Sequence, residues 1–123
     1  MRHRRRSSDR MSPRGSGVFG ALAGAAGVAL AAYAAHAATG EAQRWLYTAA
    51  AMALVHGVLL VAYVPGGPRL GGMARLALVA GVLLFSGSLV AAHAFGYPTR
   101  LAPVGGSLLI AGWLLVALDR ARG

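Results

Sequence analysis

The chain lacks cysteine and lysine, and its acidic residues are few. Without cysteine there are no disulfides, no thiolate zinc sites and no thiol nucleophile, and the redox compartment is unreadable from thiols. Only three carboxylates occur, Asp9, Glu41 and Asp119, and none lies inside an apolar run. General acid–base catalysis needs positioned titratable groups, and the apolar runs offer only histidines. We therefore expect no enzyme activity, no catalytic residues, and no bound metal or cofactor. All twelve basic residues are arginine. Arginine without lysine, together with abundant Ala, Gly and Val, fits a GC-rich bacterial genome.

A net charge of +9 on 123 residues would suggest nucleic-acid binding in a soluble domain. Here six arginines crowd the first fourteen residues and the others flank apolar segments. Membrane orientation accounts for that pattern, and no nucleic-acid partner is expected. The segment "RHRRRSSDRMSPR" is read as an orientation signal on a disordered tail, with an anionic-lipid or nucleic-acid tether as the competing role.

Four apolar segments fill the remainder: 18–39, 46–64, 76–96 and 101–118, each 18 to 22 residues long. A helix needs about 20 residues to cross the hydrocarbon core. The runs do not alternate apolar with polar, which disfavours barrel strands. Short connections ("GEAQRW", "PGGPRLGGMAR", "YPTR") force neighbouring helices to run in opposite directions. The chain is thus expected to be an all-α membrane protein: four transmembrane helices in an up-down-up-down antiparallel bundle. Residues 1–16 form its arginine-rich tail and 17–119 its membrane domain. Pro65 to Pro68 stop the second helix, and Pro103 fits the first turn of the fourth.

Arginine counts orient the bundle. Ten lie in the N-terminal tail, the second connection and the C-terminus, against Arg44 and Arg100 on the other side. The positive-inside rule places both termini in the cytoplasm, so the expected location is a bacterial inner membrane. Trp45, Tyr47 and Tyr97 fall at the outer interface. The run ending in "AHA" (Ala35–Ala37) imitates a signal peptide, but it exceeds the usual ~7–15 apolar residues, so the first helix is expected to be retained.

At this point a family resemblance emerges. "LLFSGSL" followed by "APVGGSLLIAGWLL" resembles the "LFSGSLY" and "TPLGG…GW" segments of the YgdD-like small membrane proteins (domain of unknown function 423), whose eukaryotic branch is called transmembrane protein 256. "AAYAAHA" and "TAAAMALVHGVLLV" are similar to that family's first and second helices, so the likeness spans about Gly20 to Leu118. It implies a four-helix inner-membrane protein with no established catalytic activity. Two departures stand out. Ala102 replaces the family's threonine, removing an expected N-cap hydroxyl, and "AAMAL" replaces a polar "QYQMY".

Within the spans, counting 100° per residue along the third helix puts Ala80, Gly87, Ser88 and Ala91 on a small face opposite Leu78, Val82, Phe85 and Leu89. Small residues permit close helix approach in lipid, so Gly87 and Ser88 are read as packing residues, as are Gly105 and Gly106 of the fourth helix. Ser86 is assigned a bond to the carbonyl of Val82. His56, mid-span, is either functional by default or a neutral imidazole bonded to a serine or a backbone carbonyl; the second is preferred. His36 and His93 approach the outer interface, where bis-imidazole haem ligation is the weakest reading. Gly20, Gly24, Gly27 and Ala31 form a stripe opposite His36. If His36 points inward, the stripe takes a partner helix or a second copy; otherwise helices of the same chain fill it.

The function expected is that of a non-enzymatic accessory or interaction protein acting through helix packing. Its partners would be the bilayer and either another membrane protein or further copies of itself. The alternative is a small oligomeric transporter or channel lined by His56, Ser86 and Ser88.

Overall fold

The computed structural model describes residues 12–122 and contains four helices: α1 Pro13–Ala37, α2 Gly40–Ala62, α3 Pro68–Phe95 and α4 Leu101–Arg122. All four are long and apolar enough to cross a membrane. Each extends past its apolar segment where local chemistry allows. Ser12 caps α1, its hydroxyl accepting from the Gly15 N–H at 3.0 Å, with Pro13 in the first position where no donor is needed. Helix therefore begins inside the stretch assigned to the tail, and residues 1–11 lie outside the described residues. Likewise α3 starts at Pro68, so Arg69 to Arg75 are helical rather than part of a connection. Ala102 is the second residue of α4, not its cap.

Two glycines set the sharp connections. The α1–α2 link has only Ala38 and Thr39, and Gly40 turns the chain with φ +62°. Gly96, at φ +70°, ends α3 with its N–H on the carbonyl of Ala92. Both values lie in the left-handed region, which costs a residue with a Cβ. Gln43 reinforces the first link by donating from Nε2 to the carbonyl of Ala34 at 2.9 Å.

The helices pack as two tight pairs, α1 on α2 and α3 on α4. The pairs meet chiefly through α2 against α3, and α1 touches α3 only slightly. The more buried α2 and α3 occupy the middle, with α1 and α4 outside them. Ala53, Leu60, Leu78, Val79, Val82 and Leu109 form the main core cluster. The outer surface is apolar too: Leu22, Val28, Val58, Leu83, Ile110 and Leu114 are all exposed. That is the pattern of a helix assembly whose solvent is hydrocarbon.

Each pair closes on glycine. A Cβ on Gly20 would sit 2.7 Å from the Gly57 carbonyl oxygen, and one on Gly27 would sit 2.9 Å from that of Ala50. In the second pair, a Cβ on Gly81 would meet Leu109 Cδ2 at 2.7 Å, and one on Gly105 would fall on the backbone nitrogen of Phe85. Lipid tails are as apolar as leucine, so association rests on such close backbone contact.

Candidate functional site

Helices α2 and α4 bring two polar groups together in mid-span. His56 is 3 % exposed. Its Nδ1 lies 2.7 Å from the carbonyl oxygen of Met52, and Trp113 Nε1 lies 3.1 Å from its Nε2. An indole nitrogen can only donate, so Nε2 must accept. The network therefore assigns the proton to Nδ1, which donates to Met52. Both ring nitrogens are occupied, with the rings edge-on at 6.0 Å between centroids. A backbone carbonyl was one of the two partners expected of His56, and Met52 supplies it; Trp113, 57 residues further along the chain, was not expected. Trp113→Phe should leave Nε2 without a donor while keeping most of the ring volume. The expected cost is about 1–3 kcal/mol, read from unfolding in detergent; an unchanged midpoint would show that the bond contributes nothing.

Ser86 is 7 % exposed and donates to the carbonyl of Ala49 on α2, at 2.9 Å, rather than to Val82 within its own helix. Ser86 is thus on the packing side of α3, alongside Leu78, Val82 and Leu89. The supposed small face is not the seam. Gly87 is exposed, with open space where its Cβ would be, and Ser88 is half-buried. The bulky residues fill the core because α3 is central and must fill space toward both α2 and α4.

Gly105 of α4 packs directly on the α3 backbone at Gly81 and Phe85, while a Cβ on Gly106 would look toward the Phe85 ring, with 3.7 Å to Cδ2. On α1, His36 is exposed, and the glycine stripe turns inward: Gly20 and Gly27 are buried against α2. Gly24 is less tight, its nearest neighbour being Leu54 Cδ1 at 3.9 Å, and Ala31 is half-buried. The two outer histidines do not pair. His93 Nε2 instead lies 3.3 Å from the Tyr33 hydroxyl, exposed at that end of the molecule.

The opposite, arginine-rich end holds a polar cluster that the sequence reading did not find. Asp119 is 2 % exposed, one residue beyond the apolar segment of α4. Its carboxylate accepts from the Tyr63 hydroxyl, from the Gly66 N–H at 2.9 Å and from the Gly67 N–H at 3.1 Å. Three donors match a group that accepts only, so the carboxylate is satisfied in its ionised form. The Tyr63 ring has Arg75 at 5.8 Å and Arg120 at 5.9 Å from its centroid, both within cation–π range. The one available signal was a lone acid at the end of α4 and a "PGGP" turn with two free amides.

Comparison with known families matches residues 30–106 to a family described as "Protein of unknown function (DUF423)". No curated protein and no solved structure matches the chain. The matched stretch holds His56, Ser86 and Gly105 but stops short of Trp113 and Asp119.

Proposed function

We propose that this chain, which belongs to the DUF423 family of proteins of unknown function, is an accessory protein of a bacterial inner membrane that acts through helix contacts and not as an enzyme. Its helices run alternately up and down with both termini in the cytoplasm. The ladder of contacts from Gly20–Gly57 to Gly27–Ala50 favours that arrangement. The Asp119 cluster supports it as well, by joining the α2–α3 connection to the end of α4 at the arginine-rich side.

The observation that carries the reading is how the polar groups are used. His56 and Ser86 are both engaged in internal hydrogen bonds, and among the described residues no buried side-chain nitrogen or oxygen lacks a partner. Groups that hold the bundle together are poorly placed to pass an ion along. Crosslinking in native membranes followed by mass spectrometry should recover a discrete complex with another membrane protein. In proteoliposomes the protein alone should carry no flux of protons or common ions. Flux that disappears in His56→Ala would overturn the proposal in favour of a transporter.

A further inference from the structure

Helix α1 is fastened firmly to one neighbour only. Its glycines lock it onto α2, where a Cβ on Gly20 or Gly27 would strike the carbonyl oxygen of Gly57 or Ala50. The core clusters that join α2 to α3 and α4 draw no buried residue from α1. One is built around Ala53, Leu78 and Leu109, the other from Ala49, Leu89 and Ala102. Against α3, α1 leaves an apolar groove whose walls run from Phe19 to Leu30 on α1 and from Val82 to Val90 on α3.

One polar contact crosses this gap, at the far end from the arginines. Tyr33 lies three residues past Leu30 and His93 three past Val90, close to a full turn on each helix. The Tyr33 hydroxyl is 3.3 Å from His93 Nε2, and the rings meet edge-on at 5.7 Å between centroids. A hydroxyl both donates and accepts, so either imidazole tautomer completes the bond. Among the described residues it is the only hydrogen bond joining α1 to α3 or α4.

The ties of α2 are concentrated at the opposite end. Tyr63, Gly66 and Gly67 hold Asp119 of α4 at the arginine-rich side, and His56 meets Trp113 six residues before α2 ends. Toward the far end the last hydrogen bond from α2 is the one its Ala49 carbonyl accepts from Ser86. The chain also crosses from the α1–α2 pair to the α3–α4 pair only at the arginine-rich end, through residues 63–67. A rigid pair held at one end moves most at the other, and from His56 to the start of α2 at Gly40 the lever is about 24 Å. In hydrocarbon, apolar walls gain little by meeting each other instead of lipid tails, so the width of the groove rests on its one polar contact.

We infer that Tyr33 and His93 form a latch: while their bond holds, α1 lies against α3, and when it breaks the far half of α1 swings away with α2 and the groove widens toward the bilayer. This goes beyond the accessory reading and does not depend on it.

The test uses the full chain in lipid nanodiscs, where the absence of cysteine allows paired spin labels. Ala32→Cys with Ala94→Cys reports the far end of α1 against α3, and Val18→Cys with Met73→Cys reports the arginine-rich end; all four positions are exposed. Double electron–electron resonance should show a short and a long distance at the far pair. Tyr33→Phe keeps the ring and removes the hydroxyl. It should raise the ratio of long to short roughly fivefold, the equivalent of about 1 kcal/mol for one hydrogen bond. His93→Ala should do the same, whereas His93→Gln, whose amide still bonds a hydroxyl, should stay near the parent. At the arginine-rich pair the distance should not change in any variant. An identical far-end distribution in Tyr33→Phe and the parent would overturn the latch. Equal lengthening at both ends would overturn it too, because α1 would then leave α3 as a whole. Tyr33 is exposed and loses only an oxygen, so Tyr33→Phe decides alone should His93→Ala fail to fold.

Discussion

Gly57→Leu is expected to separate α1 from α2 and destabilise the bundle by about 3 kcal/mol or more, the upper range for overpacking a close-packed interior. A Cβ at Gly57 would lie 2.5 Å from the carbonyl oxygen of Gly20 and 3.0 Å from the backbone nitrogen of Gly24. Neither atom is the end of a flexible side chain, so relief requires moving a whole helix. Moving α1 outward also opens the contacts at Ala23, Gly27 and Ala50, which are all buried in the same seam. In lipid nothing analogous to hydrophobic collapse restores the pair, because the tails solvate the exposed faces equally well. Gly20→Leu should be comparably severe, since its Cβ meets the Gly57 oxygen at 2.7 Å and Leu60 Cβ at 2.8 Å. Gly24→Leu supplies the contrast: it lies in the same stripe, but its closest contact is a leucine methyl at 3.9 Å. Unfolding by dodecyl sulfate titration, followed by circular dichroism, should rank Gly57→Leu and Gly20→Leu far below Gly24→Leu. Equal stability of all three would mean that α1 and α2 do not approach at these glycines.

That ranking marks the boundary of what periodicity can say in a membrane. The four spans were legible because length and apolarity are properties of each segment alone. Family membership was legible because "LLFSGSL" and the "APVGG" and "GW" pairings are local strings. Direction was not. A 100° count places Gly20, Gly24 and Gly27 on one stripe, and Ser86 away from Gly87, but supplies no inward reference when every face is apolar. Soluble helices declare their outside by charge; here the exposed side of α3 carries Leu83 and Gly87 and the buried side carries Leu78 and Ser86. The glycine stripe was correctly drawn, and its orientation depended on His36, which the structure places outside. Hydrogen bonds over long sequence separations were invisible for a related reason. Ser86 reaches a backbone carbonyl on α2, and a carbonyl has no signature in the sequence. The "PGGP" turn was read only as a helix terminator, although its two glycine amides also bind a carboxylate more than fifty residues away.

Asp119→Ala should therefore be the most damaging change at the arginine-rich end, lowering the unfolding midpoint by roughly 5–10 °C. The substitution leaves three donors without an acceptor: the Tyr63 hydroxyl and the amides of Gly66 and Gly67. Losing one partner of a buried pair exposes the other to the full penalty of desolvation, whereas losing both is milder. Tyr63→Phe alone should cost about 1–2 kcal/mol, since Asp119 keeps its two amide donors. The double variant should then be little worse than Asp119→Ala, a non-additivity expected of groups in one network. Asp119→Asn tests charge against shape: its amide oxygen can take one glycine amide, but its NH₂ faces another donor, so it should recover only part of the loss. Hydrogen exchange supplies the local readout, with the Gly66 and Gly67 amides protected in the native chain and fast in Asp119→Ala. If both amides remain protected in that variant, some other acceptor closes the turn. If they exchange quickly while the midpoint is unchanged, Asp119 orders the connection without tying α4 to it. A fall in midpoint together with fast exchange would establish that one carboxylate fastens the α2–α3 turn to the last turn of α4. The Tyr63 ring beside Arg75 and Arg120 depends on the same fastening.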